Sequence, residues 1–511
     1  MSTPHVRVAI VGAGFSGLGM AIRLAEQGRT AAQDTSSHTT APDSYVVFEK
    51  ADEVGGTWRD NRYPGCACDV PSRLYSFSFR QNPHWSRDFA KAGEIWQYLV
   101  DCADHYGVRD HIEFGADLRS LTYDDVTRRW TLQLADGRVW TADSVVMGVG
   151  ALHRPVVPDI EGIDTFAGPT LHTAAWPDDA NLVGKRVAVV GTGASAVQLV
   201  PELAAQASHL SVFQRTPAWI LPKHDKEWSA RRQATYARFP ALQRMVRWRT
   251  YLELESRVLL FARLPKGMKI VEQVARRHLA ASVTRPDLRA RLTPTYTIGC
   301  KRILISNDYW PTFERDDVEL VTDPIVRIEP DAVVTAGGTR HTVDALVLGT
   351  GFSVSGSYDR MQITGRGGRE LADAWSGGMH SNLGITVAGF PEFYMLLGPN
   401  TGLGHNSVVV MIEFATSYVL QCLDRARSGA RVTTASAQED FTSEMSSRSK
   451  HTVWASGCQS WYLDRFGNNT VVWPGSTITY WLRTRRVRAA DFEAVSADRV
   501  PMPAHAPAPL A

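Results

Sequence analysis

Two glycine-rich hexads carry the clearest chemistry in this chain: Gly12-Ala13-Gly14-Phe15-Ser16-Gly17 and Gly191-Thr192-Gly193-Ala194-Ser195-Ala196. In such a run the first glycine permits a tight turn and the second lets a pyrophosphate approach the backbone. The third position must be small so that helix and strand pack closely. Each hexad comes after an apolar, strand-like run, Arg7-Val8-Ala9-Ile10-Val11 or Arg186-Val187-Ala188-Val189-Val190. Each then opens an Ala/Leu-rich helical run, to Gln27 or Ala207. A strand feeding a helix N-terminus is the context the motif requires, because the free N–H groups there meet the phosphates.

The strands downstream of the hexads distinguish the two ligands. Strand Tyr45-Val46-Val47-Phe48 ends in Glu49, an acid placed for ribose hydroxyls. Glu49 lies farther from its glycines than the usual spacing of about 20 residues, and the excess is the polar stretch 29–44, which reads as a surface loop insertion. After the second hexad, Ser211-Val212-Phe213 runs into Gln214-Arg215-Thr216 with no acid. An arginine there suits a 2′-phosphate, so the second site is expected to take NADP. Two dinucleotide sites imply a flavin and a nicotinamide nucleotide exchanging hydride.

The apolar segments 143–150 and 344–351, each ending in a Gly-x-Gly turn, read as matched buried strands where the chain crosses between the two domains. The expected fold is α/β: two Rossmann-like domains, the NADP domain inserted into the FAD domain, with a helical insertion. The expected spans are 1–154 and 346–498 for the flavin domain. The nicotinamide domain takes 155–222 and 291–345, the helical insertion 223–290, and a Pro/Ala-rich disordered tail 499–511.

Composition narrows the class. The 511 residues carry 55 basic and 53 acidic side chains, 44% hydrophobic residues, and no apolar run of the roughly 18–20 residues of a membrane helix. A near-neutral balance argues against general nucleic-acid binding. Six cysteines without paired ligand spacing suggest neither a disulfide scaffold nor a metal site and suit a reducing cytoplasm. The charge is uneven, however: 223–290 holds sixteen Lys or Arg against six Asp or Glu. Leu242, Met245, Val246 and Leu252 recur there at helical spacings, so it reads as a helical segment with a dense cationic face.

Further runs carry a resemblance. Phe166-Ala167-Gly168-Pro169-Thr170-Leu171-His172-Thr173-Ala174-Ala175-Trp176-Pro177 matches F-x-G-x-x-x-H-x-x-x-W-P. Gly55-Gly56-Thr57-Trp58, then Tyr63-Pro64-Gly65 and Asp69, matches G-G-x-W-x4-Y-P-G-x3-D. With Gly299-Cys300-Lys301-Arg302, Gly398-Pro399-Asn400 and Ser460-Trp461-Tyr462, the chain resembles the Baeyer–Villiger monooxygenases over roughly 5–480. Gly-Val-Gly and Gly-Thr-Gly replace that family's usual Ala-Thr-Gly turns.

The resemblance implies an NADPH-, FAD- and O2-dependent enzyme that inserts one oxygen beside a ketone carbonyl, through a flavin peroxide stabilised by Arg302 and NADP. Arg302 and Asp69 are the implied catalytic pair, a fixed cation and the acid that orients it. The FAD set is Gly12, Gly14, Phe15, Ser16, Gly17, Glu49, Lys50, Gly56, Thr57, Trp58, Asp69, Tyr75, Gly398 and Asn400. The NADP set is Gly191, Thr192, Gly193, Ala194, Ser195, Ala196, Arg215, Thr216, Lys301 and Trp461, the last on the mobile loop. Phe166, Gly168, His172 and Trp176 are expected at a hinge, with His172 and Trp176 packed on each other.

Rival readings remain. Heteroatom oxygenation of a sulfide or amine uses the same cofactors, and a flavin-binding redox sensor would dock through 223–290. A disulfide reductase would use Cys66 and Cys68, but a Cys-x-Cys ring is strained. The expected partners are a small ketone and O2, with no nucleic acid, no metal and no membrane span, in a cytoplasmic monomer or weak homodimer.

Overall fold

Strand His5–Val11 buries side chains on both faces, as an apolar run in a parallel sheet must. In the computed structural model, which describes residues 3–28, 44–354, 356–458 and 460–495, it lies inside an eight-stranded sheet. Tyr45–Phe48 and Val139–Met147 pair with it in parallel. Leu118–Asp124, Arg129–Leu134 and Val139–Met147 form an antiparallel meander on the same sheet. The chain returns to this sheet much later, where Gln362–Thr364 and Phe393–Met395 add parallel strands. The expected loop insertion at 29–44, apart from Ser44, and the tail at 499–511 lie outside the described residues.

Between the two visits the chain builds a second sheet. Its order is Val318–Val321, His209–Phe213, Arg186–Val190, Ala345–Leu348, Thr170–His172, all parallel. The architecture is therefore two Rossmann-like units, the second inserted into the first. Each has its own apolar core, one around Ile10, Leu18 and Ile22, the other around Val187, Leu199 and Val212.

Both glycine hexads make the same crossing. A Cβ on Gly12 would lie 2.9 Å from the Gly148 carbonyl oxygen, and one on Gly191 would lie 2.4 Å from that of Gly349. The φ angles of +94° and +120° favour glycine at these turns as well. At the third position of the first hexad, a Cβ on Gly17 would sit 1.7 Å from the Gly12 carbonyl oxygen. Ala196 is tolerated at the matching place and is fully buried.

Segment 223–290 is helical, with Ala230–Arg238, Pro240–Ser256, Met268–Ser282 and the first residues of Pro286–Leu292; a π-helical turn at Leu259–Arg263 lies between the second and third. Its cations are not all on a solvated face. The buried Arg247 donates through Nη1 to the Arg73 carbonyl at 2.7 Å, and Arg232 reaches Asp88 beside the Trp228 indole. Leu242 and Val246 pack on the flavin-side core, while Met245 and Leu252 are exposed. Among the described residues no helix is long and apolar enough to cross a membrane.

Candidate active site

Arg302 and Asp69, 233 residues apart, meet as a two-pronged pair. Arg302 Nε donates to Asp69 Oδ2 at 2.9 Å and Nη2 donates to Oδ1 at 2.6 Å. Fork-to-fork geometry fixes direction as well as distance. Asp69 sits on a segment clamped by backbone bonds, Cys68 N–H to the Ala90 carbonyl and Ala92 N–H to the Cys66 carbonyl. Arg302 precedes the short strand Leu304–Ile305, which pairs in parallel with Ile220–Leu221. The Asp69 charge pushes the guanidinium above its ordinary value and outweighs the opposing effect of burial. Arg302 therefore keeps its proton at any working pH.

The pair has aromatic neighbours. Tyr462 is buried, and burial pushes its hydroxyl up to about 12, against the opposing influence of Arg302. Tyr75 lies within electrostatic reach of Asp69 and Arg302, and burial raises its hydroxyl strongly. Trp58 Nε1 donates to the Tyr75 hydroxyl at 3.2 Å, and the two rings meet edge-on at 5.4 Å. Phe15 meets Tyr75 in the same way at 5.2 Å. That places the Phe15 ring in the core with Phe77, so of this residue, expected at the flavin, only the backbone is left to face a ligand.

The first glycine loop is braced from below. Glu49, expected to bind ribose, accepts from the Ala13 N–H at 2.7 Å, the Ala51 N–H at 3.1 Å and Arg59 Nη1 at 3.2 Å. Gly56, with φ +50°, comes so close to Gly14 that a Cβ would lie 3.2 Å from the Gly14 Cα. Thr57 opens the short helix Thr57–Asp60. Ser16 is buried, whereas Lys50 is exposed at the end of its strand. With no side chains on these glycines, a cradle for a pyrophosphate is left at the N-terminus of helix Phe15–Glu26.

On the second loop, Thr192 Oγ1 donates to the Thr216 carbonyl at 2.7 Å, holding 215–216 over the hexad. Gly193 and Ala194 are exposed, and Ser195 is half-buried beside the Tyr63 hydroxyl. Burial, and then the charge of Arg215, holds the Lys301 ammonium below its ordinary value. Among the described residues neither cation has an acidic partner. Two adjacent unneutralised cations fit a dianionic phosphate.

Gln198, absent from the sequence-based expectations, joins the halves. Its Nε2 donates to the Ala67 carbonyl at 2.9 Å, and its Oε1 accepts from the Tyr63 hydroxyl at 2.8 Å and the Ala67 N–H at 3.4 Å. A residue on the nicotinamide-side helix Ala194–Ala204 thus grips the chain two residues before Asp69. The one signal in the sequence is a lone amide among Val197, Leu199 and Val200.

His172 accepts from the Ala174 N–H through Nδ1 at 3.0 Å, which leaves Nε2 to face Thr350 Oγ1 at 3.3 Å. Burial lowers its basicity, so the ring is neutral. The chain turns at the His172–Ala175 bridge, so Trp176 packs instead on the nicotinamide-side core. The expected packing of His172 against Trp176 is not found. Phe166 is half-buried beside Val333 and Leu346, and a Cβ on Gly168 would lie 2.4 Å from the Asp344 carbonyl oxygen.

Around Gly398 the chain is equally close, with a Cβ there 2.4 Å from the Gly384 carbonyl oxygen. Asn400 spends its amide on the Asn469 carbonyl at 2.7 Å. Trp461 is 45% exposed and its ring lies 4.4 Å from that of Tyr462; the inward aromatic is Tyr462. Cys66 and Cys68 are unjoined thiols, while Cys300 and Cys458 form a disulfide. One disulfide is not a scaffold, but this pair, 158 residues apart and brought together only by folding, is not among the sequence-based expectations. Among the described residues no cluster of His, Cys, Asp or Glu could hold a metal.

A model of the flavin-binding monooxygenase-like family matches residues 5–358. The chain belongs to that family. It is 43% identical over 494 residues to a Baeyer–Villiger monooxygenase of Streptomyces coelicolor, covering 96% of this chain and 92% of that one. A protein of the same name from Pseudomonas aeruginosa is 42% identical over 493 residues, covering 96% and 91%. A solved cyclohexanone monooxygenase of Rhodococcus sp. Phi1, bound to NADP+, superposes with a TM-score of 0.85 at 28% identity, covering 96% of this chain and 99% of that one.

Proposed function

We propose that this chain is a Baeyer–Villiger monooxygenase in which Arg302, oriented by Asp69, stabilises the negative charge that develops when a ketone is oxygenated. Its cofactors are FAD and NADP(H), and family membership together with the two glycine cradles supports both. When bound, FAD reduced by NADPH supplies the activated oxygen.

The protein's own part is positioning and charge. The 2.6 and 2.9 Å bonds hold the guanidinium plane in one direction, so its outer N–H groups are preorganised for an oxyanion. No proton leaves Arg302, because Asp69 raises its affinity for that proton. Burial likewise keeps Tyr462 protonated to about 12, so it serves as a neutral wall or donor. His172 takes no acid–base part, since its ring is neutral and held between Ala174 and Thr350; it steadies the connection between the two halves. Arg215 and Lys301 bind the 2′-phosphate, and Gln198 ties that half to Asp69.

The Arg302–Asp69 pair carries this reading. The ligands are a small ketone and O2, and the setting we propose is a cytoplasmic monomer or weak homodimer. The test is NADPH consumption against a panel of cyclic, linear and aryl ketones beside a thioether, with products identified by mass. Esters or lactones as the dominant products support the reading; sulfoxide alone, with no ester from any ketone, overturns it in favour of heteroatom oxygenation.

A further inference from the structure

The disulfide joins the two most mechanistically loaded stretches of the chain. Cys300 is fully buried and immediately precedes Lys301 and Arg302. Cys458 is half-buried and lies just before Trp461 and Tyr462. Their Cα atoms are 6.2 Å apart, within the range a disulfide spans.

Among the described residues, the chain between the helical turn Val453–Ala455 and helix Thr477–Thr484 forms a strap without regular strands or helices. Its far side is well tethered. Arg465 donates to the Ser376 carbonyl, and Gly402 and Val471 share a backbone bond. On the near side, no hydrogen bond is found for Gly457 or Cys458 among the described residues; Val453 packs against Gly299, and Tyr462 shares an apolar cluster with Ile298, so the disulfide adds a covalent tie to a contact otherwise made by packing. Elsewhere the thiols are shielded. Burial pushes Cys66 and Cys102 up to about 11, and Cys68 and Cys422 higher still. Deeply buried thiols of that kind meet peroxide slowly, because the thiolate is the nucleophile; the half-buried Cys458 is the point of entry, and the buried Cys300 has only to reach the adjacent Cys458 sulfur.

We propose that Cys300 and Cys458 form a peroxide-oxidised, thiol-reversible modification site whose cross-link locks the Trp461–Tyr462 strap onto the Arg302 segment. The oxidant is hydrogen peroxide, which flavin enzymes release when reduced cofactor is reoxidised by dioxygen without oxygen transfer. The Cys458 sulfur, the more exposed, attacks one peroxide oxygen as its thiolate. The O–O bond breaks, the departing hydroxide takes up a proton as water, and Cys458 is left as a sulfenic acid. The Cys300 thiolate then attacks that sulfur; the S–O bond breaks and the second hydroxide leaves as water with the remaining thiol proton. Two thiols are oxidised by two electrons and one peroxide is reduced to two waters. A small dithiol reverses the bond by exchange. Locked, the strap holds Tyr462 against Arg302 and slows nucleotide exchange; released, its entry is free to lift. This site rests on the nicotinamide reading of the cleft and not on the identity of the ketone.

The test uses full-length holoenzyme, fully reduced and then either left so or treated with stoichiometric hydrogen peroxide. Differential alkylation with peptide mass spectrometry reads the bond, and displacement of bound NADP+ in stopped flow reads exchange. After peroxide we expect Cys300 and Cys458 linked with loss of two hydrogens, the other four thiols unmodified, and NADP+ release slowed several-fold, reversed by dithiothreitol. Cys458→Ser, and Cys458→Ala as a second variant, are expected to retain FAD absorbance and release NADP+ at the reduced rate whether or not peroxide is added. Free Cys300 and Cys458 after peroxide, or a linked protein that releases NADP+ as fast as Cys458→Ser, would overturn the proposal. Because neither readout needs a ketone, the reaction assignment can fail while this one stands.

Discussion

Replacing Asp69 by Asn keeps the size of the side chain but turns one of its two acceptor oxygens into a donor. Arg302 now makes two bonds to that carboxylate, at 2.9 Å from Nε and 2.6 Å from Nη2. In Asp69→Asn one survives, and the amide nitrogen faces a guanidinium N–H. A hydrogen bond to a charged group contributes about 1.5–3 kcal/mol. Arg302 is 32% and Asp69 24% exposed, so water offsets part of the loss and the lower half of that range applies. A loss of about 2 kcal/mol in transition-state stabilisation corresponds to about 30-fold in rate. The assay tracks product formation and NADPH oxidation side by side, with and without ketone. Product formation should fall by about that factor, NADPH oxidation should fall much less, and uncoupled peroxide should rise. A variant that forms product at the wild-type rate with wild-type coupling would refute the positioning argument. Equal losses in both rates would move the pair's role to cofactor reduction.

Other contacts give three more expected outcomes. Gln198→Ala strands the Ala67 N–H and carbonyl and removes one partner of the Tyr63 hydroxyl. It should lower unfolding stability by about 1–3 kcal/mol and reduce product per NADPH consumed, read by denaturant midpoint and coupling ratio. Arg215→Ala removes one of two adjacent cations; KM for NADPH should rise by about 10–100-fold with KM for NADH little changed, from a lost charge-assisted bond of about 1.5–3 kcal/mol, as measured by steady-state kinetics with each nucleotide. Burial pushes Glu392 up to about 7 despite donors from Ser144, Tyr394 and the Arg431 N–H, whereas an unfolded glutamate titrates near about 4.3. A raised folded value means the contribution is full below about pH 4.3 and is lost as pH rises through about 7, a difference of about 4 kcal/mol. Glu392→Gln should therefore lose less stability than the wild type between pH 5 and 8 in denaturant titrations.

The glycine hexads and their crossings were legible because steric rules act within a few residues: Gly12 at φ +94° and Gly17 against its own loop need no knowledge of the rest of the chain. Arg302, Asp69 and the insertion of one Rossmann-like unit into the other were legible through motifs that repeat a known arrangement. Partners set by long-range packing were not. Gln198 reaches Ala67 across 131 residues, and Cys300 reaches Cys458 across 158; no local pattern specifies either. Phe15 shows another limit, since its position lies inside a ligand-binding motif while its ring turns into the core, where Tyr75 and Phe77 pack it. Trp461 and Tyr462 alternate along one strap, and which of them faces Arg302 depends on where that strap is anchored. The count of sixteen cations in 223–290 likewise hid Arg247, which is buried against the Arg73 and Leu74 carbonyls.

The central claim is that Arg302 supplies the fixed positive charge for oxygen insertion, and Arg302→Ala tests it most directly. FAD-loaded variant and wild type would be given NADPH and a ketone that the wild type oxidises, with ester or lactone measured by mass and peroxide by a coupled assay. The account predicts continued NADPH oxidation, peroxide in place of product, and no detectable ester. Ester formation at a near-wild-type rate by Arg302→Ala would contradict it.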